Sequence, residues 1–205
     1  MLPSFDLQCP LMSLPLALGI ELETIPTPAP YLRADPSRRQ YWSRRLDELD
    51  RPGRLRVGLA WSGNPRHNND ENRSILLSTL APLFECDATF VSLQPLVRER
   101  DAAAWAQSGM IDFGAGLEDF SDTAALVDAL DLVISVDTSV AHLAGALGQP
   151  VWVLLPRVPD WRWLLDREDS PWYSSARLFR QDGPGDWPAL VARVVYELRG
   201  WGIRA

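Results

Sequence analysis

The chain has 205 residues, enough for one domain with a sizeable core and a short appended piece. Its 20 basic and 27 acidic residues give a formal net charge of −7, which argues against non-specific binding to nucleic acid or to an anionic membrane and leaves room only for a local basic pocket. No apolar run reaches membrane-spanning length and the N-terminus lacks a signal-peptide pattern, so a cytoplasmic location without a membrane span is the default expectation.

Residues 1 to about 36 are proline-rich with little periodicity, and their short apolar segment reads as one strand or a helical turn. "SRRQYWSRRLDELD" then places Tyr41, Trp42, Leu46 and Leu49 at helical spacing behind Ser37 as a cap candidate, and "RPG" ends it. From Leu55 the pattern turns regular. "LRVGLAW" predicts a strand, "SGNPRHNNDENRS" a polar loop, Ser78–Phe84 a helix and "ATFVSLQ" a second strand. "VRERDAAAWAQ" reads as helix, "MIDFG" as a short strand, "SDTAALVDAL" as a helix with a Ser or Asp cap, and "DLVISV" as the fourth strand. A helix from Ser139 or Val140 to just before Gly148 follows, then "VWVLL", "ARLFRQ" and the amphipathic helix "DWPALVARVVYELRGW".

Strand and helix alternate about six times, and "DLVISV" and "VWVLL" are apolar throughout, as strands buried on both faces are. The expected fold class is therefore α/β: a Rossmann-like, doubly wound parallel sheet of about six strands. The chain divides into residues 1–50, an appended piece with its helix, and residues 51–205, the sheet domain. Cys9 and Cys86 match no metal-ligand or redox spacing and are expected to be reduced, buried thiols. Nine tryptophans are many for this length; most are expected in the core, although such rings also stack on sugars or bases.

Ligands of an open parallel sheet bind beyond the carboxyl ends of its strands. Three loops there are polar: Ser62-Gly63-Asn64, Gln94, and Asp137-Thr138-Ser139. The last opens a helix whose unsatisfied N–H groups can hold a phosphate without a basic side chain, with His142 one turn in. Simple helix capping by Asp137, Thr138 or Ser139 is the competing account. After the first strand, Gly63 permits close backbone approach, Asn64-Pro65 makes a turn, and Arg66, His67 and Arg73 gather positive charge suited to a diphosphate, or form a solvated loop. No G-x-G-x-x-G, P-loop, nucleophile elbow or spaced histidine pair occurs, which disfavours a dinucleotide-binding dehydrogenase half, an NTPase, a serine hydrolase and a metal site.

"VGLAWSGNPRHNNDENRS", "FVSLQ", "DLVISVDTSVAHLAGALGQPVWVLLP" and "PDWRWLLDREDSPWYSSARLFRQ" resemble the C-terminal glycosyltransferase module of bacterial tetratricopeptide-repeat proteins. That module is similar to glycosyltransferase family 9, the heptosyltransferases, and more distantly to O-linked N-acetylglucosamine transferases. The resemblance runs from "CPLMSLPLALG" onward and implies the C-terminal, donor-binding lobe of a two-lobed GT-B fold, with most of the N-terminal lobe lying outside this chain and residues 1–50 forming its end and the crossing. It implies a nucleotide-sugar as substrate rather than any resident cofactor, a glycan or protein acceptor, and the absent lobe and tetratricopeptide repeats as partners. Apolar surface bared beside such a lobe leaves a homo-oligomer open. By motif, Asp137, Thr138, Ser139 and His142 would hold the donor's phosphates and sugar, with Trp61, Ser62, Gly63, Asn64 and Gln94 lining the same pocket. Relatives often read "SLQK"; here Pro95 stands in place of the lysine, so Arg66, Arg73 or Arg98 would have to neutralise the leaving diphosphate. No catalytic residue is assigned, and the chain alone is expected to bind rather than catalyse. The alternative is a degenerate transferase domain acting as a binding or scaffold module. Trp161 and Trp163 either frame an acceptor cleft or, as favoured, pack against the closing helix and the absent lobe.

Overall fold

The computed structural model describes residues 5–26, 30–50 and 53–201. In chain order the elements are α1 (Leu14–Ala17), α2 (Pro36–Leu49), β1 (Leu55–Ala60), α3 (Asp70–Arg73), β2 (Ala88–Ser92), α4 (Ala102–Ser108), β3 (Ile111–Asp112), α5 (Phe120–Val127), β4 (Leu132–Val136), α6 (Ser139–Leu147), β5 (Val151–Leu155), β6 (Ala176–Arg180) and α7 (Trp187–Trp201). The six strands form one sheet in the order β3-β2-β1-β4-β5-β6, every neighbouring pair parallel. All five residues of β4 and of β5 are buried, as their uninterrupted apolar sequence requires of strands covered on both faces.

Two apolar layers sandwich the sheet. One gathers Trp42 and Leu46 of α2 with α5 and α6; the other gathers Leu77, Leu80 and Leu83 with Leu190, Val191, Val194 and Leu198 of α7. The chain moves outward from β1 to β3, then returns so that β4 lies beside β1, with Leu59 opposite Ile134 and Ala60 opposite Ser135. That reversal opens a crevice between the carboxyl ends of β1 and β4, where ligands of open α/β sheets bind.

Local chemistry explains several departures from the sequence reading. The helix read over Ser78–Phe84 is a 3-10 helix, Leu77–Glu85, with Pro82 inside it. The cap of α2 is Asp35 rather than Ser37: its carboxylate accepts from the Ser37 and Arg38 N–H groups, and Pro36 takes the first helical position. Asp119 caps α5 in the same way and also receives Arg38, which ties the starts of the two helices together. Gly148 ends α6 in the left-handed region, at φ +75°, as its position predicts. Cys86 is buried, and that burial pushes its thiol pKa up, but Cys9 is exposed, against expectation. Of the two readings of the early apolar segment the helical one holds, as a 3-10 turn and α1, with Leu11, Met12, Leu16 and Leu18 exposed. Among the described residues no helix is long and apolar enough to cross a membrane.

Candidate functional site

The β1 chain end is shaped by pairing with its neighbour. Gln94, just past β2, is buried and makes two bonds to the Ser62 backbone: its Nε2 donates to the Ser62 carbonyl at 3.0 Å and its Oε1 accepts the Ser62 N–H at 3.3 Å. Asn64 and Pro65 then turn the chain, the His67 N–H donating to the Asn64 carbonyl and the Arg66 N–H to Asn64 Oδ1. The loop returns through α3, where Asp70 is buried and holds three groups. Its Oδ2 lies 2.8 Å from Arg98 Nη2, its Oδ1 accepts from Ser74 Oγ at 2.9 Å, and the same oxygen is 3.8 Å from Arg73 Nε.

Arg73 stands in the β1–β4 crevice. Its Nη1 donates to the Asp137 carbonyl at 2.9 Å, and its Nη2 lies so close to Gly63 that a Cβ there would approach within 2.5 Å. The guanidinium is thus a partition between two hollows. One, of about 480 Å³, is lined by Ser62, Gly63, Asn64, Gln94, Pro95 and Arg98. The other, of about 700 Å³, lies between Asp137, His142, Asp160, Arg162 and the β6–α7 turn. Arg73, Thr138 and Ser139 line both.

Thr138 and Ser139 carry the start of α6. Thr138 is its N-cap, yet no side chain caps the helix: the Thr138 hydroxyl is turned to Ser135 Oγ at 3.1 Å, and the Asp137 carboxylate reaches toward His142 Nε2 at 3.8 Å. Helix capping therefore does not account for the polar turn. The Ala141 and His142 N–H groups donate to the Thr138 carbonyl, which leaves those of Ser139 and Val140, with the partial positive charge of a nine-residue helix, at the crevice without a side-chain cap. Ser62 Oγ and Arg73 Nε beside them are buried with no hydrogen-bond partner among the described residues.

His142 is held from three sides. Its ring stacks on Trp163, with centroids 5.1 Å apart and planes 17° off parallel, and its Nδ1 lies 3.1 Å from the Tyr173 hydroxyl. Burial pushes its pKa below the ordinary value and outweighs the opposite pull of Asp137. The carboxylate beside Nε2 favours the tautomer protonated there, leaving Nδ1 to accept from Tyr173, whose hydroxyl burial keeps protonated. The ring is then neutral near pH 7, with one N–H aimed between Asp137 and the larger hollow. Asp160 across that hollow is held below the usual carboxylate range: burial acts against this, but the Arg162 N–H and guanidinium outweigh it.

Of the residues expected at the site, Ser62, Gly63, Asn64, Gln94, Asp137, Thr138, Ser139 and His142 come together around the crevice. Arg66 lines neither hollow. Trp61 also lines neither: it is fully buried, its Nε1 donates to Asp101 at 3.1 Å and its ring stacks on Trp105. Period-2 alternation carries that signal, because Val57, Leu59 and Trp61 share one face and one apolar cluster. Trp163 is buried as expected, but its partner is His142 in the layer opposite α7, so packing against the closing helix does not occur. Trp161 is 60% exposed. Asp70, which holds Arg98 and lies beside Arg73, has no mark in the sequence, because nothing distinguishes one inward-facing carboxylate among "NNDENR". Among the described residues no three His, Cys, Asp or Glu side chains converge as a metal-ligand set.

Residues 115–155, which run from just before α5 to the end of β5, match the model of glycosyltransferase family 9 (heptosyltransferase). The chain is 32% identical over 187 residues to Protein FlbA of Caulobacter vibrioides, covering 86% of this chain and 30% of that protein. Its fold is similar to that of ADP-heptose lipopolysaccharide heptosyltransferase II of E. coli (TM-score 0.58, 17% identity, 89% of this chain and 56% of that one). It is equally similar to a family 9 glycosyl transferase of Veillonella parvula (TM-score 0.60, 12% identity, 85% and 54%). The chain thus spans about a third of the curated relative and about half of each solved chain. Residues 115–155 thus resemble a segment of glycosyltransferase family 9, within an α/β fold similar to that of the solved heptosyltransferase.

Proposed function

We propose that residues 51–205 form the donor-binding lobe of a two-lobed glycosyltransferase, with a nucleoside diphosphate seated at the start of α6. The observation that carries this reading is the uncapped N-terminus of α6 opening between two hollows at the switch point of the sheet. Thr138 and Ser139 supply hydroxyls, the α6 N–H groups and Arg73 supply positive charge, and His142 donates from Nε2 to a phosphate or sugar hydroxyl. Gln94 acts by fixing the Ser62 backbone, Gly63 by letting Arg73 lie against the chain, and Asn64 by setting the turn. The nucleotide-sugar is substrate, and the helix terminus holds its phosphates without a metal. Residues 1–50 are the end and crossing of a preceding lobe that brings the acceptor, glycan or protein. Tetratricopeptide repeats, as in the transferases this chain resembles, are its further partners.

Transfer needs charge on the leaving diphosphate to be neutralised. Pro95 lines the smaller hollow where relatives often carry a lysine; beside it Arg98 is tied to Asp70 and to the Gly63 carbonyl, and Arg73 to the Asp137 carbonyl. These internal commitments favour a second reading, a module that binds a nucleotide-sugar without turning it over. Calorimetric titration with UDP, ADP, GDP and their sugar conjugates tests the shared claim. Saturable binding of one nucleotide, weakened about tenfold in His142→Ala, is the expected result. A folded chain that binds none of them contradicts it.

A further inference from the structure

Beside the larger hollow lies a smaller one of about 400 Å³, lined by Tyr31, His142, Trp161, Arg162, Trp172 and Tyr173. His142 and Arg162 also line the larger hollow, so the two spaces meet across them. The aromatic walls form a built corner. Trp161 and Trp172 meet edge to face, 6.2 Å between centroids and 88° between planes. Trp172 is pinned by its Nε1 donating to the Arg162 carbonyl at 2.7 Å, and the Arg162 guanidinium stacks 4.6 Å from the Trp161 ring centre. Tyr173 is held by His142 at 3.1 Å and fits over α6 only because position 145 is glycine, where a Cβ would meet its ring at 2.4 Å.

The corner does not exist to cover the core, since Trp161 and Tyr31 are 60% and 56% exposed. Its lining is mixed: indole and phenol rings together with an arginine, an imidazole and tyrosine hydroxyls. A wholly apolar partner would desolvate these polar groups, which pair with one another and with Asp160, without adding a bond to them, and a phosphate would be pressed against indole. A pyranose ring answers both demands. One face of it is C–H bonds, which pack on an aromatic face, while its hydroxyls project at the rim toward donors and acceptors. The volume is within the roughly 300–1,000 Å³ usual for small-ligand sites.

We propose that this corner is a saccharide subsite that stacks a pyranose ring on Trp161 and bonds its hydroxyls through Arg162 and Tyr173. That the ring is part of a transferase substrate rests on the donor reading above; that it binds here does not. The ring comes either from the donor's sugar or from an acceptor glycan, and two measurements on the full chain separate them. The first is saturation-transfer NMR with methyl glycosides of glucose, galactose, mannose, N-acetylglucosamine and rhamnose. The second is calorimetry with a bare nucleoside diphosphate and its sugar conjugate. Each is repeated on Trp161→Ala, an exposed truncation that leaves the core intact. Glycoside signals on the ring C–H protons, reduced at least fivefold in Trp161→Ala while both nucleotide affinities stay unchanged, support an acceptor ring. A conjugate that binds at least fivefold tighter than the bare diphosphate, with that excess abolished by Trp161→Ala, supports the donor's sugar. Absence of both effects overturns the proposal, as does equal weakening of the bare diphosphate, which would make Trp161 a nucleobase platform. If bare diphosphates fail to bind the unaltered chain, the donor reading fails and the glycoside result still judges the corner.

Discussion

Replacing Asp70 with alanine is the sharpest test of how the crevice is held. The carboxylate is buried and accepts from Arg98 at 2.8 Å and Ser74 Oγ at 2.9 Å, while Arg73 lies 3.8 Å away. The Arg98 and Arg73 side chains are only 16% and 13% exposed, so deletion leaves two largely desolvated cations facing one another without their anion. Breaking a buried pair on one side costs about 3–5 kcal/mol, and the residual exposure of the arginines puts this case near 3 kcal/mol. For a domain of this size each kcal/mol moves Tm by roughly 2–4 °C, so Asp70→Ala should melt about 6–12 °C lower. Asp70→Asn keeps the shape and one acceptor and should fall between the two. Circular dichroism on thermal and urea unfolding reads the change, with an unaltered urea m-value showing that stability alone has moved. A Tm within about a degree of the unaltered chain would refute the claim that Asp70 anchors the two arginines.

Three further outcomes follow from the geometry. Gly145→Ala places a methyl 2.4 Å from the Tyr173 ring, so the ring must shift and release His142; overpacking of this kind costs about 1–3 kcal/mol, read as a lower urea midpoint. Gln94→Ala strands the buried Ser62 N–H and carbonyl and should cost about 2–4 kcal/mol in the same assay, with a mobile Ser62–Asn64 segment visible as faster amide exchange. His142 titrates below its unfolded value of about 6.5, so the unfolded chain binds more protons in that range. Its contribution is therefore full above about pH 6.5 and lost as pH falls toward the lowered folded value; the urea midpoint should drop over that window, and His142→Gln should flatten the difference.

The α/β alternation was legible because buried parallel strands leave unbroken apolar runs, as in "DLVISV" and "VWVLL". The Asp137-Thr138-Ser139 turn was legible too, since Gly148 marks where α6 must end and a strand end marks where it must begin. What the sequence hid was orientation. Trp161 and Trp163, two positions apart in a 3-10 turn, point one to solvent and one to the core, and only the packing of His142 decides which. Trp61 adjoins the polar Ser62, yet strand alternation turns it inward with Val57 and Leu59. Asp70 and Asp101 look like solvated acids but are buried acceptors, because each finds donors distant in sequence: Arg98 for one, Trp61 Nε1 and the Leu77 N–H for the other. The cap of α2 had a readable mark in Pro36, which fixes the first helical position and so points to Asp35.

The central claim is that the backbone at the start of α6 holds a nucleoside diphosphate, and position 139 isolates it. Proline is favoured at the first helical position, and Thr138 already has the extended backbone, φ −141° and ψ 172°, that precedes a proline. Ser139→Pro therefore keeps the helix while deleting one N–H donor, and Ser139→Ala deletes only the hydroxyl. Calorimetric titration of both against the nucleotide that binds the unaltered chain should show Ser139→Pro weaker than Ser139→Ala by roughly 10- to 100-fold, the worth of a charge-assisted hydrogen bond of about 1.5–3 kcal/mol. Equal affinities in the two folded variants would contradict the account.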